Sequence, residues 1–376
     1  MHQIAQTMVD SLQKKVKESS EAMKFDVEPL MKMVTLDIFG RVALSTDFGL
    51  CNSLKPSPLA LAFEYILQST MERFRSPFRL KNFLFWLPTE RNRIHNKERK
   101  LIRSFVTDLI NDKKENLKDE DNDLLSHLIR AHKNMDWDGI QQLNPEAVSD
   151  EAMGDIMMTL LFAGYDTTSV TISFALYLLA MHPEAQEHLV KEVNSVENIE
   201  NTEELVYCWA VIWETLRLYP AGVRTNRVLS KDVPLSGGFV APAGTRVHIL
   251  IYTIHRDEKV FLKPDEFRPD RWAKYDKDKG CWVERDAKKE SDDSHSAFDI
   301  PAADRKAMLA FSSGGRNCVG QRFAQIEATI VLATLVKGLK FSCVPGFELK
   351  TTVRDLINKP ANGMPLMVEA RDVCVN

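Results

Sequence analysis

"MMTLLFAGYDTTSVTISFALYLLA", residues 157–180, is the stretch on which the fold turns. It is long and apolar enough to cross a bilayer, which takes about 20 predominantly apolar residues. Asp166, however, stands near its middle beside Thr167, Thr168 and Ser169. An aspartate at that depth in lipid costs about 2.5–3.5 kcal/mol. The stretch therefore reads as a buried core helix, running from about Asp150 to Met181. His182-Pro183 closes it, because the residue before a proline avoids the helical region. Pro183 then opens the next helix, "EAQEHLVKEV".

Outward from that helix the pattern stays helical on the N-terminal side. Ile4, Met8, Leu12 and Val16 recur every four residues among Gln, Lys and Glu, an amphipathic helix with no signal-peptide pattern. Phe25–Leu44 and Arg99–Lys114 also read as helices, and Asn111–Asp123 as a solvated loop or a frayed helix end. After Pro220 the texture changes. Gly237–His255 has glycine punctuation and β-branched runs, which predicts short strands and a hairpin. Ala273–Asp304 is polar, rich in Lys and Asp and without period, and reads as an irregular loop. A last helix, Gly320–Lys337, puts Phe323, Ile326, Ile330 and Ala333 on one face, and short strands follow Phe341. The fold class is mostly α with a minor β part. Length allows two or three domains, and a single domain over 1–376 is the expectation.

The composition is that of a globular chain, 44% hydrophobic and 27% charged, and a net charge of −4 argues against nucleic acid as the main partner. The six cysteines (Cys51, Cys208, Cys281, Cys318, Cys343 and Cys374) form no CxxC pair. That spacing speaks against a disulfide framework or a zinc knuckle and for reducing surroundings.

Three constellations carry chemistry. In "FSSGGRNCVG", residues 311–320, a thiol sits just before a helix, where the dipole and free N–H groups favour thiolate. Gly314, Gly315 and Gly320 remove side chains where the loop must approach something flat or adopt positive φ, and Arg316 adds a cation. The loop alone allows a structural cysteine, a nucleophile or an axial haem ligand. In "AGYDTT", residues 163–168, Asp166 beside Thr167 in an apolar helix needs a hydrogen bond, an ion pair or a place on a proton path. Ala163 and Gly164 leave room there for a flat cofactor or small ligand. In "WETLRLYP", residues 213–220, Glu214 and Arg217 share one face at i, i+3. A solvated pair is one reading; a buried pair would want a further partner, for which Arg271 in "FRPDRW" is the candidate.

Together and in this order the motifs resemble the cytochrome P450 family of haem-thiolate monooxygenases. The loop matches that family's Phe-x-x-Gly-x-Arg-x-Cys-x-Gly signature at Phe311, Gly314, Arg316, Cys318 and Gly320. The resemblance covers essentially the whole chain. It implies haem (heme, iron protoporphyrin IX) with Cys318 as the thiolate and metal ligand. Phe311 would pack near the sulfur, and Arg316 and Arg227 would reach the propionates. Asp166 and Thr167 would deliver protons to dioxygen at the iron. Glu214, Arg217 and Arg271 would form a structural charge triad, and Asp270 stands where the family often has Glu. The implied partners are a lipophilic substrate, dioxygen and an NADPH-dependent reductase. "AGYDTT" and "ETLRLYP" are closest to the microsomal-type branches that oxidise fatty acids, sterols or foreign lipophiles.

Family members usually carry a further segment ahead of the point where this chain begins. It holds the membrane anchor, the first sheet strands, a helix that binds the other propionate and a loop over the substrate. The full-length family is expected on the cytosolic face of the endoplasmic reticulum, and this chain, without the anchor, in the cytosol. The rival expectations are a haem-thiolate isomerase or dehydratase, which the intact Asp166-Thr167 pair counts against, and a truncated, non-catalytic remnant.

Overall fold

The computed structural model describes residues 1–19, 22–55, 57–75, 86–134, 150–285, 305–353 and 357–371. Its helices are α1 His2–Ser19, α2 Val27–Ala43, α3 Pro58–Arg75, α4 Glu90–Glu115, α5 Leu124–Asn134, α6 Asp150–Met181, α7 Pro183–Ser195, α8 Val206–Leu218 and α9 Gln321–Gly338. The strands are β1 Met23–Asp26, β2 Thr225–Val228, β3 Val233–Pro234, β4 Val240–Ala241, β5 Arg246–Ile249, β6 Ala273–Asp276, β7 Cys281–Glu284, β8 Leu339–Cys343, β9 Thr351–Val353, β10 Asn358–Pro360 and β11 Pro365–Ala370. Single helical turns occur at Leu50–Ser53 and Ile251–Ile254. The architecture is mostly α with small antiparallel sheets, as the sequence indicates.

The core is built around α6. From Val170 to Ala180 it is buried on every side, as a helix apolar all round must be. α2, α4, α8, α9 and β8 pack against it. Among the described residues no helix is long and apolar enough to cross a membrane. Asp166 thus marks a core helix with a polar partner. The N-terminal half of α6 differs: Ile156, Thr159 and Ala163, at helical spacing, lie on an exposed stripe.

A three-stranded sheet, in the order β1-β11-β8, closes the core at one side. Its register pairs Phe25 with Leu366 and Val368 with Phe341. Phe25 and Asp26, expected to open a helix, belong to β1, and α2 starts only at Val27. The reason is Asp26, whose carboxylate caps α2 through Glu28 N at 3.3 Å and also takes the N–H of Met364 at 3.0 Å. One residue thereby ends the strand, starts the helix and ties both to the turn before β11.

Two further expectations change. Ala273–Asp304 is not wholly irregular: Ala273–Asp276 and Cys281–Glu284 form a hairpin, while residues 286–304 lie outside the described residues. Asp276 Oδ1 accepts from the N–H groups of Asp278 and Lys279, and Gly280 takes φ +66 to complete the turn. Trp282 packs on Tyr207 of α8 with ring centroids 4.3 Å apart, which fixes the hairpin to the core. The acidic run before α5 is also more than solvated loop. Asp123 is buried, accepts from Ser45 and Ser126, and pairs with Lys113 at 2.8 Å.

Candidate functional site

The cysteine loop is held by backbone bonds and presents its thiol outward. Cys318 N–H donates to Phe311 O at 2.9 Å, and Ser312 N–H to Leu309 O at 2.8 Å. Gly314 sits at φ +76, where a side chain is strained, so this glycine has a conformational reason. Gly315 and Gly320 have ordinary φ, and a Cβ at Gly320 would sit 4.0 Å from the Cys318 sulfur, in ordinary contact. Phe311 is half-buried against the core, whereas Cys318 and Arg316 are exposed. Cys318 lies just ahead of α9, in the field of that helix's N-terminus. Arg227 of β2 reaches the loop: its Nη2 donates to Ser312 Oγ at 3.1 Å, while Nη1 holds Thr225 Oγ1 at 2.8 Å. A second anchor, His255, carries no signal in the sequence pattern. Its Nε2 accepts the N–H of Leu309 at 2.9 Å.

On α6 the acid and the alcohol part company. Successive residues on a helix point about 100° apart. Thr167 is partly exposed, beside Ala163 on the open stripe, and its hydroxyl donates to Ala163 O at 2.7 Å. Asp166 is 1% exposed and faces the interior, with Oδ2 2.8 Å from Nζ of Lys359 in β10. Lys359 is not singled out by the sequence; "NKPANG" carries no signal for it. Nearby, Lys32 of α2 pairs with Glu28 at 2.7 Å and Glu64 of α3 at 3.2 Å. Burial disfavours the Lys32 charge, but Glu28, Glu64 and Asp166 outweigh it and raise its pKa.

The room expected beside Gly164 for a flat ligand is filled by protein. A Cβ there would lie 2.4 Å from Cδ2 and Cε2 of Phe39. The Phe39 ring stands edge-on to Phe323 of α9, with centroids 6.1 Å apart. Phe39 is thus a wedge that brings the "AGYDTT" turn of α6 alongside the first turn of α9, just beyond Cys318. Glu327, one turn further along α9, is fully buried facing Thr168, and burial pushes its carboxyl well above the ordinary range.

The third constellation is a buried knot. Glu214 accepts from Arg217 Nε at 2.9 Å and Nη2 at 2.8 Å, and from Arg271 Nε at 3.0 Å. It also accepts from Trp272 Nε1 at 2.9 Å and the backbone N–H of Arg268 at 3.0 Å. Glu214, Arg217 and Arg271 are all at most 1% exposed. Carbonyls of His255, Glu266 and Pro264 satisfy the rest of Arg217, and those of Leu262 and Lys263 the rest of Arg271. The solvated-pair reading is excluded and Arg271 is the third member. The carbonyls could not be read from the sequence, because loop backbone supplies them, and Trp272, which joins through its indole Nε1, is not singled out in "FRPDRW".

The Cytochrome P450 family model matches residues 1–367. The chain belongs to the cytochrome P450 family. Among curated relatives it is 32% identical to Cytochrome P450 4c3 of Drosophila melanogaster, over 60% of this chain and 39% of that protein. It is 31% identical to Cytochrome P450 3A2 of Rattus norvegicus, over 68% of this chain and 46% of that protein. Cytochrome P450 4d2 of Drosophila melanogaster is 28% identical over 97% of this chain and 70% of its own length. The chain spans about half the length, or less, of the first of these relatives. P450 proteins bind haem through a cysteine thiolate.

The residues present fit such a group. Among the described residues no three His, Cys, Asp or Glu side chains converge on a metal. A lone cysteine sulfur at Cys318 suits an iron whose remaining equatorial donors come from the porphyrin. The exposed Arg316 cation two residues away suits a propionate, and Gly314 adds no side chain to the loop surface.

Proposed function

We propose that this single P450-like domain, residues 1–376, is the catalytic part of a haem-thiolate monooxygenase acting on a lipophilic substrate. The observation that carries the reading is the exposed Cys318 thiol just ahead of α9, on a residue whose backbone N–H is latched to Phe311 O. The open stripe of α6 bearing Ala163 and Thr167 adds to it. When bound, haem supplies dioxygen activation, and the thiolate donates electron density that favours O–O cleavage. Cys318 holds the iron, with Phe311 against its backbone. Arg316 and Arg227 neutralise propionates, Arg227 from its perch on Ser312. Thr167 Oγ1 positions a proton donor on the open face, and Asp166, the other member of the proposed proton path, lies behind it against Lys359. Ile156, Thr159 and Ala163 offer a mainly apolar wall to substrate. An NADPH-dependent reductase supplies electrons, and the reaction takes place at the cytosolic face of the endoplasmic reticulum.

The test is haem reconstitution of the purified chain followed by the reduced, carbon-monoxide difference spectrum. A thiolate-type Soret band that disappears in Cys318→Ala supports the reading; absence of haem uptake overturns it for this chain. Thr167→Ala is expected to consume oxygen without matching product, and unchanged product per NADPH would remove Thr167 from proton delivery.

A further inference from the structure

His255 closes a connection between the two parts of the site that share no element. It follows the helical turn Ile251–Ile254, is 0% exposed, and stands edge-on to Phe261 at 6.2 Å. Its carbonyl accepts from Arg217 Nη1 at 2.9 Å, which ties its backbone to the Glu214 knot. Its ring Nε2 accepts the Leu309 N–H at 2.9 Å, which ties its side chain to the strand of chain entering the cysteine loop. A backbone N–H can only donate, so Nε2 carries no proton and the imidazole is the neutral Nδ1–H tautomer. The other ring nitrogen, Nδ1, is buried and has no hydrogen-bond partner among the described residues.

From Leu309 the connection continues: Leu309 O accepts from Ser312 N–H, and Phe311 O from Cys318 N–H. We propose that His255 is a positioning residue that sets the register of the cysteine loop, transferring the rigidity of the Glu214–Arg217–Arg271 knot to the Cys318 sulfur. Ligand side chains must be held within about 0.5 Å of productive geometry by such supporting contacts. The loop itself is poorly equipped to do so. Ser312 at φ +62 and Gly314 at φ +76 make a kinked backbone whose 3₁₀ turn at Gly314–Arg316 is exposed. Arg227 on Ser312 and His255 on Leu309 are its two side-chain anchors among the described residues.

The proposal rests on Cys318 being the haem ligand, and its test separates the two. In the haem-free chain, hydrogen exchange is followed for the Leu309, Ser312 and Cys318 amides, with folding checked by cooperative urea unfolding. Three substitutions discriminate. Gln places an amide oxygen near the Nε2 position, Asn places it near Nδ1, away from Leu309, and Leu removes it. Exchange in His255→Leu and His255→Asn should be about five- to tenfold faster, the loss of one net hydrogen bond, and near wild type in His255→Gln. Should His255→Leu fail to fold, the Gln–Asn comparison decides alone. Equal exchange in Gln and Asn, or no change in either, overturns the proposal. In the reconstituted chain, Asn should weaken the thiolate-type Soret band and Gln should keep it. If the wild type takes up no thiolate-ligated haem, the assignment of Cys318 falls, and the exchange comparison still decides for or against the His255 anchor.

Discussion

Adding one methyl group to α6 at Gly164 pits helix propensity against packing, and the structure says which wins. Gly→Ala inside a helix gains about 0.5–1 kcal/mol from backbone entropy alone. At Gly164 the new Cβ would lie 2.4 Å from two carbons of the Phe39 ring, closer than side chains ever approach. Phe39 has little room to retreat, being 5% exposed and held edge-on by Phe323 at 6.1 Å. Forcing a methyl into such a contact costs about 1–3 kcal/mol. The expected net effect of Gly164→Ala is therefore destabilisation by about 1–2 kcal/mol, packing loss less propensity gain. Gly154 supplies the control on the same helix, since a Cβ there would meet nothing within 4 Å. Gly154→Ala should stabilise by about 0.5–1 kcal/mol. The measurement is urea unfolding of both variants, of Phe39→Leu, and of the Gly164→Ala/Phe39→Leu double variant. The two substitutions should be strongly non-additive, because the smaller residue vacates the space the methyl needs. Stabilisation by Gly164→Ala equal to that by Gly154→Ala, or additive costs in the cycle, would refute the wedge.

Three other outcomes follow from the same geometry. Glu214→Gln leaves the Arg217 and Arg271 charges buried without a counter-ion and should cost about 3–5 kcal/mol in urea unfolding, whereas Cys318→Ala, at an exposed position, should stay within about 0.5 kcal/mol. Lys359→Met strands the Asp166 carboxylate and should cost a similar amount, with Asp166→Asn recovering part of it; a neutral Lys359→Met would mean that the pair is not buried in solution. Burial, with Arg217 and Arg256 adding repulsion, lowers His255 from 6.5 to about 4. A depressed pKa in the folded state means that stability is present above pH 6.5 and is lost as pH falls toward 4, by about 3 kcal/mol. His255→Gln should flatten that part of the pH–stability curve, and an unchanged slope would assign the acid loss elsewhere.

Much of this is legible from residues alone because it depends on local order. The bounds of α6 follow from an apolar run ended by His182-Pro183, and α1 and α9 from spacing every three or four residues. Cys318, Arg316 and Gly314 stand out because a single loop must bend sharply and bear a thiol before a helix. Glu214-x-x-Arg217 is legible for the same reason, one helix face. The β6–β7 hairpin escapes such reading since its turn hides in a Lys/Asp run, although Tyr275 and Trp282 on either side of Gly280 are a usable signal.

What the sequence determined by itself is α1, α2, α6, α7, α8 and α9, part of α4, and the types of chemical group they carry; α3 and α5 came only with the structure. The tertiary structure alone decided who meets whom. It filled the Gly164 gap with Phe39, turned Asp166 inward to Lys359 and left Thr167 on the open face, and set His255 under Leu309. Period and motif specify which residues share a face, but not which distant segment packs against it. That choice belongs to the register in which buried side chains and unpaired backbone groups find complementary partners.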